Sequence, residues 1–183
     1  MSNWDERYKN GFYDGEDEPK ELLLKFWQTI PKGNVIDIAM GIGKDAMFLA
    51  DRGFNVFGIE MSIEAIKIAK QRSIKNNISI IRGNAGCLPF KENTAKGIVV
   101  FYFLLRDFMK DIEKILQKGG VIIYETFLKR QNKIDRKRNP DFLLDNGELI
   151  SYFSDFEILF YEETLLTIKG KKRAIARFVG RKK

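Results

Sequence analysis

At 183 residues, 44% apolar and 31% charged, the chain has the length of one domain and the composition of one that folds rather than of a disordered segment. With no histidine and the single cysteine Cys87, it cannot build the usual zinc ligand sets, a Ser-His-Asp triad or a Cys-His nucleophile pair, so any general base is a carboxylate, Tyr or Lys. The net charge of +7 favours anionic partners. The polar opening MSNWDERYKNGFYDGEDEP, and a longest apolar run of only Ile98 to Leu105, predict a cytoplasmic protein without a membrane span.

Pro19 to Ile30 (PKELLLKFWQTI) sets Leu22, Leu23, Phe26 and Trp27 on one stripe and reads as an opening helix with the proline at its first position. Asn34 to Ala39 (NVIDIA) is a short strand, ended by Gly41 and Gly43 and followed by a helix through Ala50 that Gly53 caps. The grammar repeats: Asn55 to Ile59 is a strand, Ser62 an N-cap, and Ile63 to Arg72 a helix with Ala65, Ile66 and Ala69 inward. Ile78 to Arg82 is a third strand. After a loop with Leu88, Pro89 and Phe90, the run Gly97 to Leu105 is apolar on both faces, as a central parallel strand requires. Asp107 to Gln117 is then helical, Gly119 and Gly120 close it, and Val121 to Phe127 is the next strand. A basic loop, Lys129 to Arg138, and a short helix near Gly147 to Phe153 lead to two strands, Asp155 to Thr167 and Lys172 to Val179, joined across Lys169 and Gly170. This alternation predicts an α/β, Rossmann-like fold: a doubly wound, mostly parallel seven-stranded sheet with right-handed crossovers and an antiparallel C-terminal strand.

The segment VIDIAMGIGKDA, Val35 to Ala46, places glycines at a strand-to-helix turn, and the acid Glu60 ends the next strand. Such glycines let backbone N–H groups approach a ligand closely, and a carboxylate at the neighbouring strand end accepts the hydrogen bonds of ribose hydroxyls. An adenosine cofactor is the natural guest, though GxGxxA followed by an acid also fits a dinucleotide-dependent enzyme. Asp37 bears on the choice because it lies inside the strand, four residues before Gly41, and a buried carboxylate requires a cationic or proton-donating partner. An amino-acid ammonium supplies that partner, whereas a pyrophosphate is repelled; loop amides are the other way to satisfy it.

VIDIAMGIGKDAMFLADRGFNVFGIEMS, then IRGNAGCLPF, then LQKGGVIIYETF resemble the successive motifs of the class I S-adenosylmethionine-dependent methyltransferases, from Asn34 to Phe127. WDERYKNGFY, FLLRDF, ETF and NPDFLLDNGELISYF resemble a narrower group, the small methyltransferases similar to the tellurite-resistance type. The resemblance implies S-adenosylmethionine as cofactor, with Asp37 acting through the loop network near its amino group. It sets Gly41 and Gly43, with Met40 beside them, against the methionine and ribose portions, and Glu60 on the ribose hydroxyls. Met61 would pack on the adenine, Asn84 and Ala85 would recognise its edge, and Phe101 would line the pocket. Asn84 stands where the family usually has Asp, Ala39-Met40 where it commonly has Gly-Cys or Gly-Ser, and Gly97 where it often has Asp. The N-terminal segment would fold over the cofactor, making Arg7, Tyr8 and Tyr13 lid residues of an arm, residues 1–18, on a single domain of residues 1–183. The bland alternative is an arm that merely packs on the domain.

Asn139-Pro140-Asp141-Phe142 resembles the N-P-P-[YF] motif of nucleic-acid amino-methyltransferases, but that motif must follow the fourth strand, where Phe101-Tyr102-Phe103 stands. Base N-methylation is therefore disfavoured. Methyl transfer from a sulfonium is an in-line displacement that asks for proximity, alignment and exclusion of water. The polar residues at the strand ends are Tyr102, Arg106, Glu125 and Thr126, with Arg106 expected to orient an anionic acceptor and Glu125 the candidate base. The expected acceptor is a small molecule. The alternatives are RNA held on the basic clusters Lys129 to Arg138 and Lys169 to Arg173, an NAD-dependent oxidoreductase, and a cofactor-binding module without catalysis. Lysine runs without interleaved aromatics are more often solvated surface.

Overall fold

The computed structural model describes residues 3–11, 18–73, 78–135 and 137–183. Helix α1 (Asn3–Lys9) precedes α2 (Glu21–Phe26), which a 3₁₀ turn, Trp27–Thr29, prolongs. Then come β1 (Asn34–Ile38), α3 (Lys44–Ala50), β2 (Asn55–Glu60), α4 (Ile63–Arg72), β3 (Ile78–Arg82) and β4 (Ala95–Phe101). The chain continues through α5 (Met109–Ile115), β5 (Leu116–Phe127), α6 (Glu148–Tyr152), β6 (Glu157–Ile168) and β7 (Lys171–Arg181). One seven-stranded sheet has the order β3-β2-β1-β4-β5-β7-β6. Neighbours from β3 to β5 pair in parallel, and β7 runs antiparallel to both β5 and β6.

Alternation along the strands divides the core into two layers, because successive side chains leave a strand on opposite faces. Val35, Val99, Val121 and Ile123 pack with Leu22 and Leu23 of α2 and Ala46 and Leu49 of α3. Ile36, Ile98, Ile122 and Tyr124 pack with Met109 and Ile112 of α5 and Leu149 of α6. Each large side chain so buried contributes about 1.5–3 kcal/mol. Ser62 caps α4 as its sequence position predicts, its hydroxyl accepting from the Ala65 N–H at 3.2 Å. No helix among the described residues is long and apolar enough to cross a membrane.

The expected elements depart from the observed ones at three places. The opening helix starts at Glu21 rather than at Pro19, and the Lys20 N–H that precedes it donates to Asp45 Oδ1 at 2.8 Å. The fourth strand stops at Phe101 because Tyr102 turns into the left-handed region, φ +54°, with its N–H on the Glu125 carbonyl at 2.8 Å. Residues 103–105 are apolar because they leave the sheet to enter the core layer of α5, where Leu104 is buried. Gly119 and Gly120 do not close a helix, which ends earlier at Ile115; they lie inside β5, whose ladder pairs Leu116 with Ala95 and resumes at Val121 opposite Gly97. At φ +77° Gly119 lets the strand bulge there. Lys182 from the far end of the sequence then pairs with both glycines, accepting from the Gly119 N–H at 2.8 Å and donating to the Gly120 carbonyl at 2.9 Å. A partner that remote leaves no local trace.

Candidate active site

Between β1 and α3 the chain turns sharply. Ala39 and Gly41 both have positive φ, +56° and +57°. Only glycine adopts that conformation without steric cost, so Ala39 is strained and Gly41 is not. Gly41 also has no room for a side chain: a Cβ there would lie 2.8 Å from the Tyr8 hydroxyl. Met40 is buried, and its sulfur fills the space over Gly58 of β2, where a Cβ would meet it at 2.1 Å. The thioether thus packs on the sheet instead of on the open side of the turn, whereas the Ala69 Cβ lies 3.4 Å from where a Cβ of Gly43 would stand.

The turn gathers carboxylates. Asp37 is 2% exposed, and its Oδ2 has no hydrogen-bond partner. Asp45, in the first turn of α3, is also buried and accepts from the Lys20 amide. Glu60 ends β2 with Oε2 on the Gly41 N–H at 2.9 Å and Oε1 on the Met61 and Ser62 N–H groups, both at 2.8 Å. Burial, then the charges of Asp45 and Glu60, push the Asp37 carboxyl well above the ordinary carboxylate range. Burial likewise raises Asp45, against the lowering effect of its hydrogen bond from Lys20. Negative charge concentrated and desolvated in this way is stabilised by a proton or by a cation.

Helix α1 lies against α4. Asp5 Oδ1 accepts from the Ser62 hydroxyl at 2.6 Å, the main cause that holds the Asp5 carboxyl below its ordinary value. This contact carries Tyr8 over the glycine turn, while Arg7 lies over the Trp4 ring at 4.7 Å. Tyr13 lies outside the described residues. Next to β2, Met61 is exposed. Asn84 is exposed too, and its Oδ1 accepts from the Gly86 N–H at 2.9 Å, closing its own loop, with Ala85 buried beside it. Phe101, half-buried, packs on the layer of α2 and α3.

At the ends of β4 and β5 the candidates for catalysis have other engagements. Arg106, expected at an acceptor mouth, is bound to Glu148 through Nε at 2.6 Å and Nη2 at 3.0 Å. It also donates to the carbonyls of Asp141 at 2.7 Å and Leu143 at 2.9 Å. The guanidinium fastens residues 141–148 to the end of β4; four of its donor contacts lie within the protein, which leaves little for an acceptor. Glu125, the expected base, is equally committed. Its Oε2 accepts from Arg177 Nε at 3.0 Å, directly across the β5–β7 ladder, and Arg177 reaches Glu21 at 3.3 Å and Glu162 at 3.6 Å as well. Glu125 and Arg173 act on the Tyr102 hydroxyl with opposite sign, and the Arg173 guanidinium lies 5.1 Å from the ring centroid. Burial, and after it the Glu125 charge, push that hydroxyl upward, so Tyr102 is a neutral hydrogen-bonding group and no phenolate base. Thr126 is buried beside them.

Residues 35–120 match the methyltransferase domain family. That span is 86 of the 183 residues, and over it the chain is similar to the methyltransferases. The chain is similar to the demethylmenaquinone methyltransferase of Renibacterium salmoninarum, 25% identical over 113 residues covering 59% of this chain and 47% of that protein. It therefore spans about half that relative's length. In fold it is similar to TehB from Haemophilus influenzae, with a TM-score of 0.78 and 20% identity over 98% of this chain and 67% of that one. It is also similar to an S-adenosylmethionine-dependent methyltransferase from Aquifex aeolicus, TM-score 0.69 and 15% identity over 96% and 97% of the two chains.

The residues present fit S-adenosylmethionine. That cofactor brings a sulfonium and an ammonium, and the protein offers a buried carboxylate oxygen without a partner, on Asp37, within the influence of two further carboxylates. Glu60 keeps acceptor capacity beyond its three amide hydrogen bonds. Sequence reasoning missed Lys20, Asp45 and Arg177, and singled out Arg138 and Arg173 only within the basic clusters. Arg177 did leave a signal: it is the lone charge in the apolar run Ala174 to Val179, as Glu125 is in Val121 to Phe127, and two such residues each require a buried partner.

Proposed function

We propose that this methyltransferase moves a methyl group to a small-molecule acceptor by in-line displacement, at the carboxyl ends of β1, β2, β4 and β5, within a single domain of residues 1–183. The observation that carries the proposal is the partnerless, buried Asp37 Oδ2 inside the carboxylate cluster. It is a receptor for a cationic ligand and a poor one for a pyrophosphate, which argues against the NAD-dependent alternative. Bound S-adenosylmethionine supplies an activated methyl on a sulfonium. Asp37 and Asp45 would attract its positive charge, Glu60 would take ribose hydroxyls, and the backbone at Gly41 would admit it closely. Ala85 and Met61 flank the end where the adenine would lie. Tyr8, over Gly41, would help exclude water, as an in-line transfer requires. Tyr102, kept neutral by burial and the Glu125 charge, would orient the acceptor instead of deprotonating it. The name of the Renibacterium relative, an enzyme of demethylmenaquinone, supports a small acceptor. So does Arg138, which belongs to the basic loop yet lies over the Phe127 ring at 4.5 Å instead of joining an open stripe for RNA.

Thermal unfolding with S-adenosylmethionine, S-adenosylhomocysteine, NAD and NADP tests this reading. A ligand at a hundred times its Kd stabilises by about 2.7 kcal/mol, a rise of about 5–10 °C for a domain of this size. The two adenosyl compounds are expected to give that rise, and Asp37→Asn to reduce it. A rise with NAD alone overturns the reading.

A further inference from the structure

We propose that a groove between the turn after β5 and the edge of the sheet binds a small organic monocarboxylate with an apolar body, its carboxylate on Arg130. The turn is a 3₁₀ segment, Lys129–Lys133, that follows β5 and packs on β7. Gln131, fully buried, fixes it there: its Oε1 accepts from the Ala174 N–H, and its Nε2 donates to the Lys172 carbonyl at 3.2 Å. Beyond β7 lies β6, the last strand of the sheet, with Leu165 opposite Ala174. The open groove between turn and strand has a volume of about 470 Å³, within the roughly 300–1,000 Å³ of small-molecule sites. In the strand order β6 stands four positions from β1, roughly 19 Å at the usual strand spacing, so the groove is separate from the carboxylate turn.

Arg130 lines this groove with its charge unanswered. Its Nε is buried without a hydrogen-bond partner, and no carboxylate among the described residues pairs with its guanidinium. Neighbouring cations of the same basic loop are engaged, Lys129 with Asp145 at 2.6 Å and Arg138 with Asp135 at 2.9 Å. Glu163, the carboxylate of the groove, is engaged elsewhere, its Oε1 accepting from the Gly147 N–H and the Tyr161 hydroxyl, both at 2.6 Å. A buried donor left unpaired costs its full desolvation, whereas an arginine fork meets a carboxylate through two parallel N–H···O bonds. Turning that fork into the groove onto a bound carboxylate gives Nε the acceptor it lacks. The ionisable lining is Arg130 and Lys133 against Glu163, so one negative charge balances it, and a dianion would meet repulsion from Glu163. The remaining lining asks for more than an inorganic ion. Ile134 and Leu165 are 38% and 52% exposed, apolar surface that an alkyl or aromatic body would remove from water.

The test titrates hexanoate, its neutral isostere hexanamide, acetate and inorganic phosphate into the isotope-labelled full chain at neutral pH and constant ionic strength. Binding is read by NMR from the Arg130 Nε–H resonance and the amides of Gln131, Thr164 and Leu165. Hexanoate is expected to shift these resonances and to bind at least about tenfold more tightly than hexanamide, for want of a charge, and than acetate, for want of an apolar body. Phosphate is expected to bind more weakly than hexanoate. Arg130→Met should abolish the preference for hexanoate over hexanamide, and Lys133→Met should reduce it. Hexanamide, acetate or phosphate equal to hexanoate overturns the proposal, as does hexanoate binding by Arg130→Met at the parent's affinity, or an Arg130 Nε–H resonance that does not move. Arg130→Met removes an unpaired donor and is expected to melt no lower than the parent. Should it melt lower, the hexanoate and hexanamide affinities of the parent and of Lys133→Met decide instead. S-adenosylmethionine is absent throughout, so the result is independent of the methyltransferase reading.

Discussion

Around β1 and β2 the site is built of carboxylates, Asp37, Asp45 and Glu60, all drawn from the single stretch 37–60. Around β4 and β5 it is ringed by Lys20, Arg138 and Arg173, drawn from segments at both ends of the chain. One half concentrates negative charge where a cationic cofactor would enter, and the other sets three cations over the stacked rings of Tyr102 and Phe127. The contrast shows how a small domain without histidine can still set opposite charge at the ends of neighbouring strands of one sheet. The halves are also held differently. The carboxylates flank a turn whose Gly41 amide meets Glu60, whereas the cationic half depends on the β5–β7 pairing, with Arg177 and Glu125 at its centre.

Breaking that pairing is expected to give the largest effect. Arg177→Leu leaves Glu125, whose side chain is 3% exposed, as a buried charge without its cation, a change that costs about 3–5 kcal/mol. Urea denaturation measures it. Adding Glu125→Gln is expected to restore most of the loss, because replacing both members of a buried pair is often nearly neutral. A single variant within about 1 kcal/mol of the parent would mean that β7 is held by its apolar residues alone.

The difference between the halves was only partly legible. Local grammar identified β1, β2, β3 and α4 with boundaries within a residue of those observed, and it singled out Asp37, Gly41 and Glu60, because a strand, a tight turn and a helix lie next to one another in sequence. Asp45 was overlooked although it stands in the same motif, since an acid in the first turn of a helix usually needs no explanation beyond the helix dipole. On the cationic side, Arg106 and Glu125 were identified as residues of consequence, but their partners Glu148 and Arg177 were not. Glu148 and Arg177, which engage them, are set by the packing of α6 and by the register of β7, and neither is encoded near its partner. The glycine pair 119–120 misled for the same reason: Lys182 completes its hydrogen bonds.

Asp37→Asn sharpens the comparison from the other side, with opposite signs on stability and on binding. The Asp37 carboxyl is raised above its ordinary value of 3.8, so the native protein holds this proton more tightly than the unfolded chain does. Its contribution is fully present below about pH 4 and is lost as pH rises through the raised value. The cofactor-free protein is therefore expected to lose stability with rising pH in this window, and the asparagine variant to be flatter and, at neutral pH, more stable by about 1–3 kcal/mol. Affinity for S-adenosylmethionine should move the other way, rising with pH in the parent as the proton leaves and weakening in the variant. Thermal melts and calorimetry across pH check both; a variant less stable at neutral pH than the parent would show that Asp37 is satisfied without a ligand.

The smallest effect concerns Ala39, the residue that links the two ends of the turn. At φ +56° its Cβ costs roughly 1–2 kcal/mol, and glycine removes that cost while adding conformational freedom to the unfolded chain worth about 0.4–1 kcal/mol. Ala39→Gly is thus expected to stabilise by about 1 kcal/mol or less, a rise in Tm of about 2–4 °C. Because Ala39 carries no charge, the change should leave the pH dependence set by Asp37 untouched, so parallel melting curves separate backbone strain from the electrostatics of the same turn. A loss of stability instead would mean that the alanine methyl makes contacts in the turn worth more than the strain it introduces.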